Sequence, residues 1–138
     1  MTVLLVAACD ASREELAEAL RANGLEVECA DSAAECIRIV RQLTPAVIVM
    51  DRMLPDGDGW ELVRVLKSLS STQGVPVIAV TGNGSRAHEE RAHIIGCDVF
   101  LVRPFQADAL LAQIRRLLRP ERTDSWALAE GNDDDMPR

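Results

Sequence analysis

The chain has no apolar run long enough to cross a membrane. It also has no basic region or cleavage site ahead of its first apolar run, which starts at Val3. Neither a membrane span nor a secretory signal is expected, and the chain reads as cytoplasmic. Cysteine is sparse and unpatterned. Cys9, Cys29, Cys36 and Cys97 form no CxxC pair and have no histidine at ligand spacing, so they read as small buried apolar residues in a reducing compartment. A basic excess is missing too, since the net charge is −7. Six acids and two arginines from Glu121 onward carry −4 of that charge, and the remainder of the chain is close to balanced. Without surplus cations to displace counterions, nucleic-acid binding by bulk electrostatics is not expected. Nucleotide-loop signatures are absent as well. Gly82-Asn83-Gly84-Ser85 lacks the length and lysine of a P-loop and does not match GxGxxG, so it reads as a flexible loop. His88 and His93 stand five apart and miss the i, i+4 face that a metal would want; a solvated face is expected for both.

What is present is a repeating alternation over a 138-residue chain that is 48% hydrophobic, enough for one domain with a real core. Val3–Ala8, Ala46–Met50 and Val77–Val80 are continuous apolar runs, as parallel strands covered on both faces require. Leu25–Ala30 alternates instead, with Glu26 and Glu28 between Leu25, Val27 and Cys29, which marks an edge strand. Val99–Val102 makes a fifth strand.

Helical segments separate them. The first runs roughly Ser12–Asn23, with Asp10 as its expected cap and Gly24 as its terminator. The second opens on a Ser32/Glu35 capping box, with Ala33, Cys36, Ile37 and Val40 on one face. Asp58 and Glu61 start the third similarly, with Leu62, Leu66 and Leu69 turned inward and Trp60 packing on its surface. The fourth, about Ser85–Ile95, has little apolar stripe and is expected to be the least firmly docked. The last carries the clearest stripe, Ala107, Leu110, Leu111, Ile114, Leu117 and Leu118, and ends on Arg115, Arg116 and Arg119. Five βα repeats predict an α/β doubly wound domain over residues 1–119. Residues 120–138 read as an acidic flexible tail, with Trp126, Leu128 and Met136 as its large apolar residues and docking of Trp126 on the body as the alternative.

In such a sheet, the site lies at the carboxyl ends of the strands. Strand one ends in Ala7, Ala8 and Cys9, strand three in Asp51, strand four in Thr81, and strand five in Arg103. A carboxylate, a hydroxyl and a guanidinium thus converge on one end of an apolar sheet.

Three segments carry a family resemblance: the strand and loop from Val47 to Gly59, the strand from Pro76 to Gly82, and Gly96-Cys97-Asp98-Val99-Phe100-Leu101-Val102-Arg103-Pro104-Phe105. They resemble the receiver domain of two-component response regulators, and the likeness extends over residues 2–119. It implies a flavodoxin-like fold of five parallel strands in order 2-1-3-4-5 with five helices. It also implies Asp51 as the phosphoacceptor, Thr81 as the phosphoryl-contacting hydroxyl, and Phe100 as the aromatic switch, which without phosphorylation is as consistent with plain packing. In the family the acceptor carboxylate is the nucleophile. Mg²⁺ is held by an acidic pair, the acceptor Asp and a backbone carbonyl, here that of Met53, and a lysine adds positive charge.

The pattern is broken at two places. Ala7 and Ala8 stand at the acidic pair, and Arg103 stands at the lysine. Mg²⁺ binding is therefore expected to be weak or absent, with no cofactor. One remaining carboxylate needs only one cation, so a direct Asp51–Arg103 pair is expected in place of the phosphorylation site. The alternatives are an Arg103 turned to solvent beside a relic Asp51, or a phosphoacceptor still working at Asp51. No nucleophile–base arrangement favours an enzyme or a nucleotide binder. The expected function is a non-enzymatic signalling module acting by contact with a sensor kinase or downstream effector, through the face of helix four, strand five and helix five. Self-association is left open.

Overall fold

The computed structural model describes residues 1–118. The tail over 120–138 with its Trp126, and the place of Arg119, lie outside the described residues. The elements in order are β1 (Thr2–Val6), α1 (Asp10–Ala22), β2 (Glu26–Ala30), α2 (Ala33–Val40), β3 (Val47–Asp51), β4 (Met53–Leu54), β5 (Gly57–Asp58), α3 (Gly59–Ser68), β6 (Val77–Thr81), α4 (Arg86–Ile95), β7 (Val99–Val102) and α5 (Ala107–Leu118). The main sheet runs β2-β1-β3-β6-β7 and every pairing in it is parallel. Counting its strands alone, the order is the expected 2-1-3-4-5. The two-residue strands β4 and β5 form a small antiparallel ribbon in the loop after β3.

The continuous apolar strands are covered on both faces, with alternate residues going to different cores. Val3, Leu5, Val49 and Ile78 pack with Leu20, Leu110 and Ile114 of α1 and α5. Leu4, Val6, Ile48 and Met50 pack with residues of α2, α3 and α4. Leu20, Leu110 and Ile114 are fully buried, and burial of such a side chain stabilises by about 1.5–3 kcal/mol. Strand β2 lies at the sheet edge with Glu26 exposed, which its alternating sequence requires.

Several local expectations need correction. Asp10 does not cap α1. Cys9 holds the cap position without a side-chain bond, and Asp10 is the first helical residue, paired with Arg13 at 2.7 Å. The Ser32 hydroxyl accepts from the Glu35 N–H, but the Glu35 carboxylate turns to Arg38 instead of closing the box. Leu69 is 40% exposed, because α3 ends at Ser68 and the chain there is already extended. Trp60 is not on the surface: it is fully buried, since α3 starts beside the sheet and points its first turn beneath α4. His88 is not a solvated residue either. Its ring lies edge-on to Trp60, 5.4 Å between centroids, and its Nε2 meets Arg52. His93 is exposed. Helix α4 buries only Ala92 and Ile95, and an Arg91–Glu61 pair at 2.7 Å adds a tie to α3. Gly96 ends it in the left-handed conformation, φ 114°, where a Cβ would be strained.

Cysteine follows the expected pattern only in part. Cys36 and Cys97 are buried, Cys29 is intermediate and Cys9 is exposed. Burial pushes the thiols of Cys36 and Cys97 up to about 12, so neither offers a thiolate near neutral pH. A maleimide applied to the native protein is expected to label Cys9 first. Labelling of Cys36 and Cys97 should appear only after unfolding, as read by peptide mapping.

Candidate functional site

The site is assembled from the ends of β3, β6 and β7. Asp51 closes β3 with only 9% of its surface exposed, at the mouth of an otherwise apolar strand. A carboxylate so placed requires a charged or hydrogen-bonding partner. Arg103 supplies it. Its Nη2 donates to Asp51 Oδ2 at 2.9 Å and its Nη1 to Oδ1 at 3.3 Å, a fork that occupies both carboxylate oxygens. The backbone of Arg103 is fixed as well, since its N–H donates to the Thr81 carbonyl at 2.8 Å and carries the β6–β7 pairing one residue further. The Met53 N–H lies 3.4 Å from Asp51 Oδ1, long for a hydrogen bond.

The remaining positions fall around this pair without all converging on it. Thr81 is 5% exposed, and its hydroxyl accepts from the Asn83 N–H at 3.1 Å, holding the loop into α4. Ala7 is buried and Ala8 exposed, so the end of β1 brings no carboxylate. The Ala7 carbonyl instead accepts from Arg13 Nη1 at 2.7 Å. Phe100 is half-buried, its ring edge-on to Trp60 with centroids 6.0 Å apart. Met53 is 75% exposed on the loop ribbon. The chain's single lysine, Lys67, sits toward the C-terminal end of α3 and donates to the Val75 carbonyl at 2.6 Å.

Acids near the site are committed elsewhere. Asp10 pairs with Arg13. Asp56 accepts from two successive N–H groups at the start of α2, Ala33 at 2.8 Å and Ala34 at 3.1 Å. Those two backbone donors hold its carboxyl below the usual range. Asp58 caps α3 through the Trp60 N–H and lies 3.5 Å from Arg52. Among the described residues no group of three or more His, Cys, Asp or Glu side chains is arranged to hold a metal.

Three contributors escaped the reading of the sequence. Gly59 matters because a Cβ there would stand 2.0 Å from the Asp51 carbonyl oxygen. A glycine at the start of a helix, just after a loop leaving the acceptor strand, is the available signal for such a close approach. Arg13 was unreadable as a partner of Ala7, because its target is a backbone atom. Arg52 reaches sideways across the Trp60 ring, 5.2 Å from its centroid, toward His88; nothing in the pattern of apolar residues points there.

Two substitutions test this geometry by denaturant unfolding. Arg103→Ala leaves a largely buried Asp51 unpaired and is expected to destabilise by about 1–3 kcal/mol, with Arg103→Lys recovering only part because a point charge cannot fork. Gly59→Ala forces backbone apart at the same place and is expected to cost about 3 kcal/mol or more.

The model of the response regulator receiver domain matches residues 3–115. The Transcriptional regulatory protein CusR of Escherichia coli K12 is 34% identical over 119 residues, 86% of this chain and 52% of that protein. The Response regulator MprA of Mycobacterium leprae is 35% identical over 127 residues, 92% of this chain and 55% of that protein. The chain thus spans about half the length of these curated relatives. Among solved structures, the chemotaxis response regulator CheY4 of Vibrio cholerae superposes with a TM-score of 0.80 at 26% identity, covering 85% of this chain and 98% of that one. The receiver domain of the sensor histidine kinase PA1611 from Pseudomonas aeruginosa, solved with a magnesium ion in its active site cleft, gives 0.78 at 25% identity, covering 85% and 96%. With the strand order, the segments around Asp51, Thr81 and Arg103, and these likenesses in agreement, the chain belongs to the response regulator receiver domain family.

Proposed function

We propose that this receiver domain signals by protein contact, with the aspartyl-phosphate step lost and the Asp51–Arg103 pair standing in its place. The observation that carries this is the two-pronged grip of Arg103 on Asp51. In phosphoryl transfer a carboxylate oxygen must be free to attack in line while a cation neutralises the incoming charge. Here both oxygens are engaged by a guanidinium whose charge is already spent on the carboxylate.

The donor set does not fit Mg²⁺. A hard divalent cation wants several well-placed oxygens. This site offers Asp51, already paired, and the carbonyl of an exposed loop residue, Met53. Ala7 and Ala8 offer no carboxylate, while Asp10, Asp56 and Asp58 are held by other groups. No step is therefore routed through a metal.

Output through α4, β7 and α5 remains consistent with the chain. Phe100 stands on Trp60 beneath α4, and Ile94 is 83% exposed on that helix beside exposed Glu89 and Glu90. Arg91 is committed to Glu61 and contributes to docking α4. The proposed partner is a sensor kinase or effector that meets this mixed apolar and charged surface, on which Arg86 pairs with Glu90 and His93 lies near Glu89, complementarity of charge deciding which.

Two experiments separate this reading from a phosphoacceptor still working at Asp51. Incubation of the protein with acetyl phosphate and Mg²⁺ is expected to leave its intact mass unchanged; a stable phosphoryl adduct abolished by Asp51→Asn would establish the other reading. In cells, Asp51→Asn is expected to retain the signalling phenotype provided the protein accumulates normally, whereas Glu89→Lys with Glu90→Lys is expected to impair it.

A further inference from the structure

The loop from β6 to α4, Gly82-Asn83-Gly84-Ser85, is exposed at every residue and unused by the signalling reading. It holds one of the two Asn-Gly pairs in the chain; the other is Asn23-Gly24, after α1. Both asparagines and both glycines are exposed, so neither sequence nor exposure tells the two pairs apart. Their hydrogen bonds do.

An asparagine followed by glycine can lose ammonia by internal attack, since no Cβ stands in the way. The glycine nitrogen gives up its proton to hydroxide and bonds to the Asn Cγ. The Cγ–Nδ2 bond then breaks, and the amide nitrogen leaves as ammonia with a proton from water. Water opens the resulting cyclic succinimide at either carbonyl, leaving aspartate or isoaspartate. The attack needs a Cγ held near the following nitrogen, an N–H not tied up in another bond, and a donor on the oxygen that gains charge.

Asn83 meets all of these. Its Oδ1 accepts from the Ser85 N–H at 2.9 Å, closing a ring that contains both the Asn83 Cγ and the Gly84 nitrogen. Ser85 caps α4, so the positive end of the helix dipole lies beside that oxygen. The Gly84 N–H donates to no group among the described residues. Glycine is also what the packing wants there, because a Cβ would stand 3.2 Å from a Val102 methyl. At Asn23 the arrangement is the reverse. Its Nδ2 donates back to the Ala19 carbonyl at 2.8 Å, and the Gly24 N–H is held by the Arg21 carbonyl at 3.0 Å.

We propose that Asn83 is a site of spontaneous deamidation and that its isoaspartyl product loosens α4. Isoaspartate routes the main chain through the side-chain methylene, adding one atom between two anchors. These are the Thr81 hydroxyl, which accepts from the Asn83 N–H at 3.1 Å, and the Ser85 cap on the His88 N–H. Helix α4 buries only Ala92 and Ile95, so it has little of its own to resist the change.

The test ages the full chain at mildly alkaline pH, folded and in denaturant, and follows both pairs by peptide mapping. In denaturant they are expected to convert at similar rates. In the folded chain Asn23 is expected to slow about tenfold or more, as two hydrogen bonds to be broken imply, while Asn83 keeps at least its denatured-chain rate. Asn83→Gln changes an exposed position, so folding is retained, and it is expected to suppress conversion at this site. The isoaspartyl form, separated by its added charge, is expected to exchange its α4 amides faster than the unconverted protein, with α1 unchanged. Asn83→Asp adds the charge without the extra main-chain atom and is expected to exchange like the unconverted protein. A folded-state Asn83 slowed as much as Asn23 would overturn the site. Exchange of α4 unchanged in the isoaspartyl form, or matched by Asn83→Asp, would overturn its effect on the helix.

Discussion

A carboxylate at the end of a buried strand must be neutralised, and much of this domain is arranged around that need. Asp51 emerges from β3 with apolar residues on both faces of the sheet behind it. Water cannot fully solvate it there, so a partner has to come from a neighbouring strand end. Arg103 meets that requirement because the β6–β7 pairing continues through its own backbone N–H. The ladder places the Cα, and the long side chain then spans two strand positions to reach β3. A lysine would satisfy the charge but only one oxygen at a time. The pair has a geometric counterpart in Gly59, which lets α3 begin against the backbone of the same aspartate. One residue thus fixes the electrostatics on one side and the closest backbone approach on the other.

The fold was almost wholly legible because its signals are long and redundant. Five apolar segments with helices between them allow few arrangements, and Glu26 and Glu28 mark the edge strand without ambiguity. The strand-end residues Asp51, Thr81 and Arg103 were legible for the same reason, since the fold puts strand ends together whatever the side chains are. Legibility failed where a residue's partner was set by tertiary approach. Trp60 reads as a surface aromatic because it follows a polar turn, yet the first turn of α3 points under α4 and buries it. Asp10 reads as a cap by type, but the helix begins one residue early and Arg13 takes the carboxylate. Leu69 fits the α3 stripe by spacing, and the helix stops before reaching it.

The same contrast explains the fourth helix. Its own sequence supplies two buried residues, Ala92 and Ile95, which is little for ten residues. What compensates comes from other elements. Trp60 rises from α3 to meet His88, Phe100 of β7 packs against the same indole, and Glu61 takes Arg91. The helix is held by an aromatic seat supplied from outside, which a periodicity argument made on α4 alone cannot see. The contacts of that seat are aromatic and steric, with the Trp60 Nε1 unpaired among the described residues.

The grip of Asp56 on the start of α2 has a mechanical meaning. One carboxylate bridges two consecutive backbone donors of a helix that otherwise belongs to a different part of the chain. The ribbon of β4 and β5 and the N-terminus of α2 are thereby joined like two plates riveted at two points. Gly57, directly after the rivet, has a φ of 152° and open space around it. A side chain at Gly57 would strain the turn that presents the Asp56 carboxylate, and with it both attachments of α2 to the loop after β3.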